Sequence, residues 1–122
     1  MTQDKRDPAI RIVLLPRDTN ANGTIFGGII LSHIDLAGAV EAKKHTTERI
    51  VTVAMKEVIF KEPVLVGEVV SFYTDTVKIG RTSVTVSVDV EVKRQGKEVK
   101  VTEAELTFVA IGKDGKAIPL KA

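Results

Sequence analysis

Cysteine is absent from this 122-residue chain, histidine occurs twice and tyrosine once. Without cysteine there is no disulfide framework, no thiolate nucleophile and no sulfur-based metal site. The two histidines, His33 and His45, stand apart and make a poor basis for zinc, so no metal is expected. Neither sign of charge is in excess: eighteen basic residues face sixteen acidic ones. That balance argues against a nucleic-acid partner while leaving room for a local pocket that takes a phosphorylated ligand. Residues 23–40 approach membrane-spanning length, but Gly27, Gly28, Gly38 and a central Asp35 point to a buried helix instead, so no membrane partner is expected. Met1 to Asp7 is polar and lacks the apolar core of a signal peptide, which makes the cytoplasm the expected location.

What is present is one organising stretch. Asp18 to Gly28 is polar and rich in turn formers, and it runs into a segment that reads as a helix from about Gly27 to Lys44, apolar nearly all round, with lysines at its negative end. Between Gly23 and Val40 the only formally charged residue is Asp35. A carboxylate there costs several kcal/mol, on the order of any poorly paired buried charge, unless it finds donors or a proton. Leu31, Asp35, Gly38, Ala39 and Ala42 share one helical face, and the small residues read either as space beside the carboxylate or as close packing. Asp35 by itself reads equally as a reactive group or as a carboxylate held by hydroxyl or backbone donors to fix packing.

Around this helix the chain turns to strand periods. Ile10 to Leu15 is β-rich and stopped by Pro16. Ile50 to Phe60, Val69 to Lys78, Val84 to Lys93 and Val99 to Ile111 follow, with strict alternation of valine and polar residues from Val84 to Val92. Arg94 to Lys97 reads as a hairpin whose basic residues solvate the tip, and a shift of parity near Thr102-Glu103 suggests a β-bulge. The domain reading is a flexible N-terminus over 1–9, one domain over 10–112 and a polar tail over 113–122. The class is α+β: one long central helix wrapped by a curved five-stranded antiparallel sheet, in the order β-α-β-β-β-β. Such a sheet leaves edges and a helix flank open, so oligomerisation is expected.

Asp18-Thr19-Asn20-Ala21-Asn22-Gly23, Ile25-Phe26-Gly27-Gly28 and Asp35 together resemble the YciA-like branch of the hotdog-fold acyl-CoA thioesterases. Val51 to Ala54, Phe60 to Pro63, Val77 to Ser83 and Thr107 to Ala110 extend the similarity over nearly the whole chain. Lys56 to Ile59 departs from the family pattern. The resemblance implies the hotdog fold and hydrolysis of acyl-CoA to a free acid and CoA, with no metal or separate cofactor. It also implies assembly as homodimers, often trimers of dimers, with active sites at subunit interfaces. It casts Asp35 as nucleophile or general base and Asn22 as its partner across the interface. Phe26 falls within the substrate-binding motif, and Gly27 and Gly28 would donate backbone N–H groups to the oxyanion. Arg81, Thr82 and Ser83, with Lys61 as a weaker candidate, would hold CoA phosphates; a solvated hairpin is the competing reading of the first three. The alternatives are a non-catalytic acyl-CoA-binding module and a hydratase or dehydratase pairing His33 with Asp35. Residues two apart on a helix point to different sides, which disfavours that pair.

Overall fold

The alternating valines build the floor of the molecule. Val84, Val86, Val88, Val90 and Val92 are all buried, as a strand with one face on a core requires. The computed structural model describes residues 6–120. Its elements are β1 (Ile10–Val13), α1 (Gly27–Ala42), β2 (Arg49–Phe60), β3 (Val69–Ile79), β4 (Ser83–Arg94) and β5 (Lys97–Ile111). The five strands form one sheet in the order β1-β3-β4-β5-β2, with every pairing antiparallel. The order β-α-β-β-β-β is therefore as expected.

Helix α1 lies on the valine face. Ile30, Ile34 and Ala37 join Phe72, Leu106 and Phe108 in the core. Burial of each phenylalanine stabilises the fold by about 2–3 kcal/mol. Gly38 lets the helix close on the sheet: a Cβ at that position would stand 3.1 Å from the Phe108 ring. Of the two readings of the small residues, Gly38 thus serves close packing.

Several boundaries differ from expectation. The α-helix ends at Ala42, and Lys43–His45 forms a separate 3-10 turn, so the lysines follow the helix and do not lie in its last turn. The parity shift near residue 102 is a bulge at Val101: Val90 pairs with Thr102 but Glu91 with Lys100. Both Val101 and Thr102 are consequently buried. Arg94 does more than solvate a hairpin tip. Its guanidinium bonds both oxygens of Glu68 at 2.7 and 2.8 Å, Glu62 at 3.1 Å and the Pro63 carbonyl at 2.6 Å, clamping the β2–β3 connection to the hairpin. The N-terminus is expected to be flexible over 1–9, and residues 1–5 of it lie outside the described residues. From Arg6 onward the segment is pinned: Arg6 pairs with Glu91 at 3.0 Å, stacks over Tyr73, and the Ala9 N–H meets the Phe72 carbonyl. The expected polar tail folds back as well. Ile118 N–H bonds Ala110 and Leu120 N–H bonds Arg81, while the Thr46 hydroxyl donates to the Leu120 carbonyl; residues 121–122 lie outside the described chain.

The two edges of the sheet are unequal. β1 spans four residues, whereas β2 presents twelve along a free edge. Register shifts near Val53 and at Glu57-Val58 bend β2, and Glu57 sits at φ 52°, a conformation that costs a non-glycine residue about 1 kcal/mol. β2 exposes Val51, Val53, Ile59 and Phe60, Phe26 is exposed just before α1, and α1 exposes Leu36 and Val40. Large apolar side chains along one unpaired edge and helix flank mark an interaction surface.

Candidate functional site

Gly27, Leu31 and Asp35 follow at intervals of four and so form one row along α1. β2 runs beside that row in the opposite direction. At one end the Thr52 hydroxyl donates to Asp35 Oδ1 at 2.6 Å. At the other, the Phe60 ring lies 3.4 Å from where a Cβ on Gly27 would stand. Asp35 is half-buried, and the Thr52 hydroxyl is its one hydrogen-bond donor among the described residues. The carboxylate is thus oriented by one short bond while keeping lone pairs available on the flank that carries Leu36 and Val40.

The loop before α1 is built by Asn20. Its side-chain oxygen accepts from the N–H groups of Asn22 and Thr24, and its amide nitrogen donates to the Thr24 hydroxyl. Asn20 is therefore spent on the turn. Asn22 lends the turn only its backbone N–H, and its exposed side chain has no partner among the described residues. Phe26 begins the helix with no side-chain cap. The first turn closes through Ile29 and Ile30 N–H to the Phe26 carbonyl, which leaves the N–H groups of Gly27 and Gly28 at the positive helix end without an acceptor among the described residues. The Phe26 ring folds back over Gly28, where a Cβ would meet it at 2.5 Å, so a side chain at that position would push the exposed ring aside. A cavity of about 330 Å³ opens beside this end, lined by Ile25, Gly27, Ile30, Phe60 and Thr102 among others. The Thr102 hydroxyl is buried without a hydrogen-bond partner among the described residues.

The positions of the remaining candidates divide by helix end. Lys61 stands at the N-terminal end of α1, lining the same cavity and 3.8 Å from Glu103. Arg81 stands at the C-terminal end, lining a second cavity of about 560 Å³ with Lys43, Lys44 and His45. The 16-residue helix between them is roughly 24 Å long, so one chain does not bring Lys61 and Arg81 into one site. Thr82 and Ser83 contribute backbone carbonyls to the fold there, accepting from Ala110 and Gly80 N–H. His33 turns away from Asp35: its Nδ1 donates to the Ile29 carbonyl at 2.9 Å and its ring stacks on Phe72. The hydratase-type pair is not assembled.

A second carboxylate on α1, Glu41, is not among the candidates that the sequence offers. Glu41 is 8 % exposed, the most buried acidic group of the helix. Its oxygens accept from the hydroxyls of Thr74 at 3.1 Å and Thr76 at 2.7 Å, and from Lys44 at 2.9 Å. Burial pushes its carboxyl up, but the hydrogen bonds from Lys44, Thr76 and Thr74 together outweigh that and hold it below the ordinary value. The signal was present in β3, where Phe72, Thr74 and Thr76 share the face turned to the helix and offer hydroxyls in place of apolar groups.

Comparison with known proteins gives a consistent picture. Residues 22–99 match the family described as the Thioesterase superfamily. The acyl-CoA thioester hydrolase YciA of Salmonella typhimurium is 43% identical over 116 residues, covering 91% of this chain and 87% of the relative. A hexameric hotdog-fold thioesterase of Campylobacter jejuni superposes with a TM-score of 0.88 at 45% identity, covering 98% of this chain and 93% of that one. A hexameric thioesterase from Yersinia pestis gives a TM-score of 0.91 at 38% identity, covering 99% and 100%.

Proposed function

This chain belongs to the thioesterase superfamily, and from that membership we infer that it hydrolyses acyl-CoA thioesters to a carboxylic acid and CoA. A thioester is already an activated acyl donor, so the chemistry asks for a nucleophile or base and for stabilisation of the oxyanion, with no metal or separate cofactor. We assign the first role to Asp35. As nucleophile its carboxylate attacks the carbonyl carbon, the C–S bond breaks, CoA leaves as thiolate and takes up a proton, and water hydrolyses the mixed anhydride. As general base it takes a proton from the water that attacks directly. The N–H groups of Gly27 and Gly28 meet the oxyanion, each such donor being worth about 3 kcal/mol, with Phe26 forming the wall above them. The cavity lined by Ile25, Ile30 and Phe60 gives the acyl chain apolar room. Arg81, with Thr82 and Ser83, takes the phosphates of CoA; Lys61 reaches the same substrate only from another subunit.

One observation carries the assembly. Asp35 stands eight residues along α1 from Gly27, roughly 12 Å away by helical rise, and Asn22 precedes the helix beyond that end. A single carbonyl cannot touch Asp35 and these groups of the same chain. A twofold pairing across the exposed α1–β2 flank would bring the helix start and Asn22 of one protomer to Asp35 of the other. The protein is then a homodimer at least. A trimer of dimers is our reading of the hexameric neighbours, and the cytoplasm is our reading of its charged, cysteine-free composition.

Release of free thiol from a panel of acyl-CoAs tests the activity; binding without turnover would make the chain a non-catalytic module. Mixing tests the assembly. Asp35→Asn and Asn22→Ala are each expected to be crippled alone, and co-assembled to regain activity, because one of the two sites then holds both native groups. Failure to complement in a verified mixed dimer would put both residues in one chain's site. Arg81→Ala is expected to raise KM for CoA esters several-fold and to leave kcat nearly unchanged.

A further inference from the structure

The connection between β2 and β3, residues 61–68, belongs to no strand, so its backbone groups must find partners elsewhere. At its start the Lys61 and Glu62 N–H groups reach the Val101 carbonyl. In its middle the Val64 carbonyl accepts the Ile25 N–H, and near its end the Gly67 N–H donates to Leu14. Two stretches fall between these anchors. One holds Pro63, which has no N–H to give. The other is the turn Leu65–Glu68, closed by Glu68 N–H to the Leu65 carbonyl and by Leu65 N–H to Glu68 Oε1 at 2.8 Å. Arg94 serves both. Its Nη1 and Nη2 take Glu62 and the Pro63 carbonyl, while Nε and Nη2 take the two Glu68 oxygens. The guanidinium is itself on firm ground. Arg94 ends β4, and Gln95 and Gly96 turn with φ 52° and 78° directly into its cross-strand partner Lys97, the compact two-residue hairpin.

Glu62, Pro63 and Val64 also line the cavity of about 330 Å³ beside the helix start, together with Ile25, Gly27 and Ile30; Arg94 does not line it. We propose that Arg94 is a positioning residue for acyl-chain selection, its fork fixing the Glu62–Pro63 wall and so limiting the length of acyl group accepted. The proposal rests on the acyl-CoA reading above. A planar guanidinium bonded on two sides sets the spacing of both segments, where a lysine ammonium would hold one point. The wall and the Gly27 and Gly28 N–H groups belong to one chain, so moving the wall alters the space behind the carbonyl and leaves Asp35 in place. Val64 remains tied to Ile25 without help from Arg94, which keeps the helix start where it is. A short acyl group that ends before the wall is indifferent to Arg94. A long one meets every displacement of it.

The test is the kcat/KM profile over straight-chain acyl-CoAs from acetyl to palmitoyl, in wild type and Arg94→Gln. Glutamine stays polar but removes the charge and the fork. The fall in kcat/KM beyond the preferred length is expected to shrink about tenfold in the variant, with acetyl-CoA hydrolysis nearly unchanged. Arg94→Lys should recover part of the discrimination. Glu68→Gln, which keeps an acceptor for Leu65 N–H, should move the profile the same way by less, and it serves if Arg94→Gln fails to fold. Hydrogen exchange reads the wall without turnover: the Leu65 amide should exchange faster in Arg94→Gln and the Ile25 amide should not. An equal loss at every chain length, as a merely structural clamp would give, overturns the proposal. So does a profile unchanged in both variants, or a Leu65 amide that exchanges as in wild type. If wild type turns over no acyl-CoA, the acyl-CoA reading falls and takes chain selection with it, while exchange still shows whether Arg94 holds the wall.

Discussion

Asp35 and Glu41 sit six residues apart on one helix and have opposite surroundings. Glu41 is buried and bound by two threonine hydroxyls and a lysine. Asp35 is half-buried, held among the described residues by Thr52 alone, and lies on a flank that exposes Leu36 and Val40. The difference teaches that burial by itself is a poor guide to reactivity. A carboxylate whose lone pairs are filled by fixed donors stabilises the fold and has little left to offer a substrate. One that is aimed by a single donor and left open on an apolar surface can act, once a partner surface excludes water from around it.

Exchanging the two environments by mutation should separate activity from stability. The largest effect is expected from Asp35→Asn, with kcat falling by roughly 10²–10⁴-fold and the urea midpoint close to wild type; an active variant would dismiss Asp35 from the chemistry. Glu41→Ala should reverse the pattern, costing about 2–3 kcal/mol in urea unfolding because Thr74 and Thr76 lose their acceptor, while kcat changes little. Thr52→Val comes next: without its orienting bond Asp35 should lose about tenfold in kcat, and an unaltered kcat would mean that the bond does not aim the carboxylate. The smallest effect is in acid. Glu41 titrates below its ordinary value of 4.5, so its contribution is present above that pH and lost as pH falls through the lower folded-state value. The stability gap between wild type and Glu41→Gln should therefore narrow from pH 6 to pH 3 and stay constant above pH 6. Glu68, held low chiefly by its bond to Arg94, follows the same trend in both proteins and cancels in the difference.

The contrast also explains which features were legible in the sequence. Asp35 stood out because every nearby residue was uncharged, and local context is all that a linear pattern contains. Glu41 did not, because it is followed by Lys43 and Lys44 and reads as part of a polar helix end. Its burial comes from Thr74 and Thr76, more than thirty residues away. Arg94 reads as part of a solvated hairpin tip for the same reason: Glu62, Glu68 and Pro63, which it clamps, belong to a distant loop. Asn20 and Asn22 are alike as turn formers in the sequence; only the structure divides them, by giving the Asn20 side-chain oxygen to the N–H groups of Asn22 and Thr24.

What the sequence by itself determined is whatever repeats at short range. Period two along Val84–Val92 established a half-buried strand, and a nearly uncharged run from Gly23 to Val40 established a central helix that a sheet must cover. Tertiary structure alone decided which end of that helix each basic residue would serve, which carboxylate would be sealed and which left open, and that His45 would point one nitrogen at Thr76. Those outcomes depend on which strands become neighbours across the sheet, and hydrogen bonds between residues distant in the chain leave no period to read.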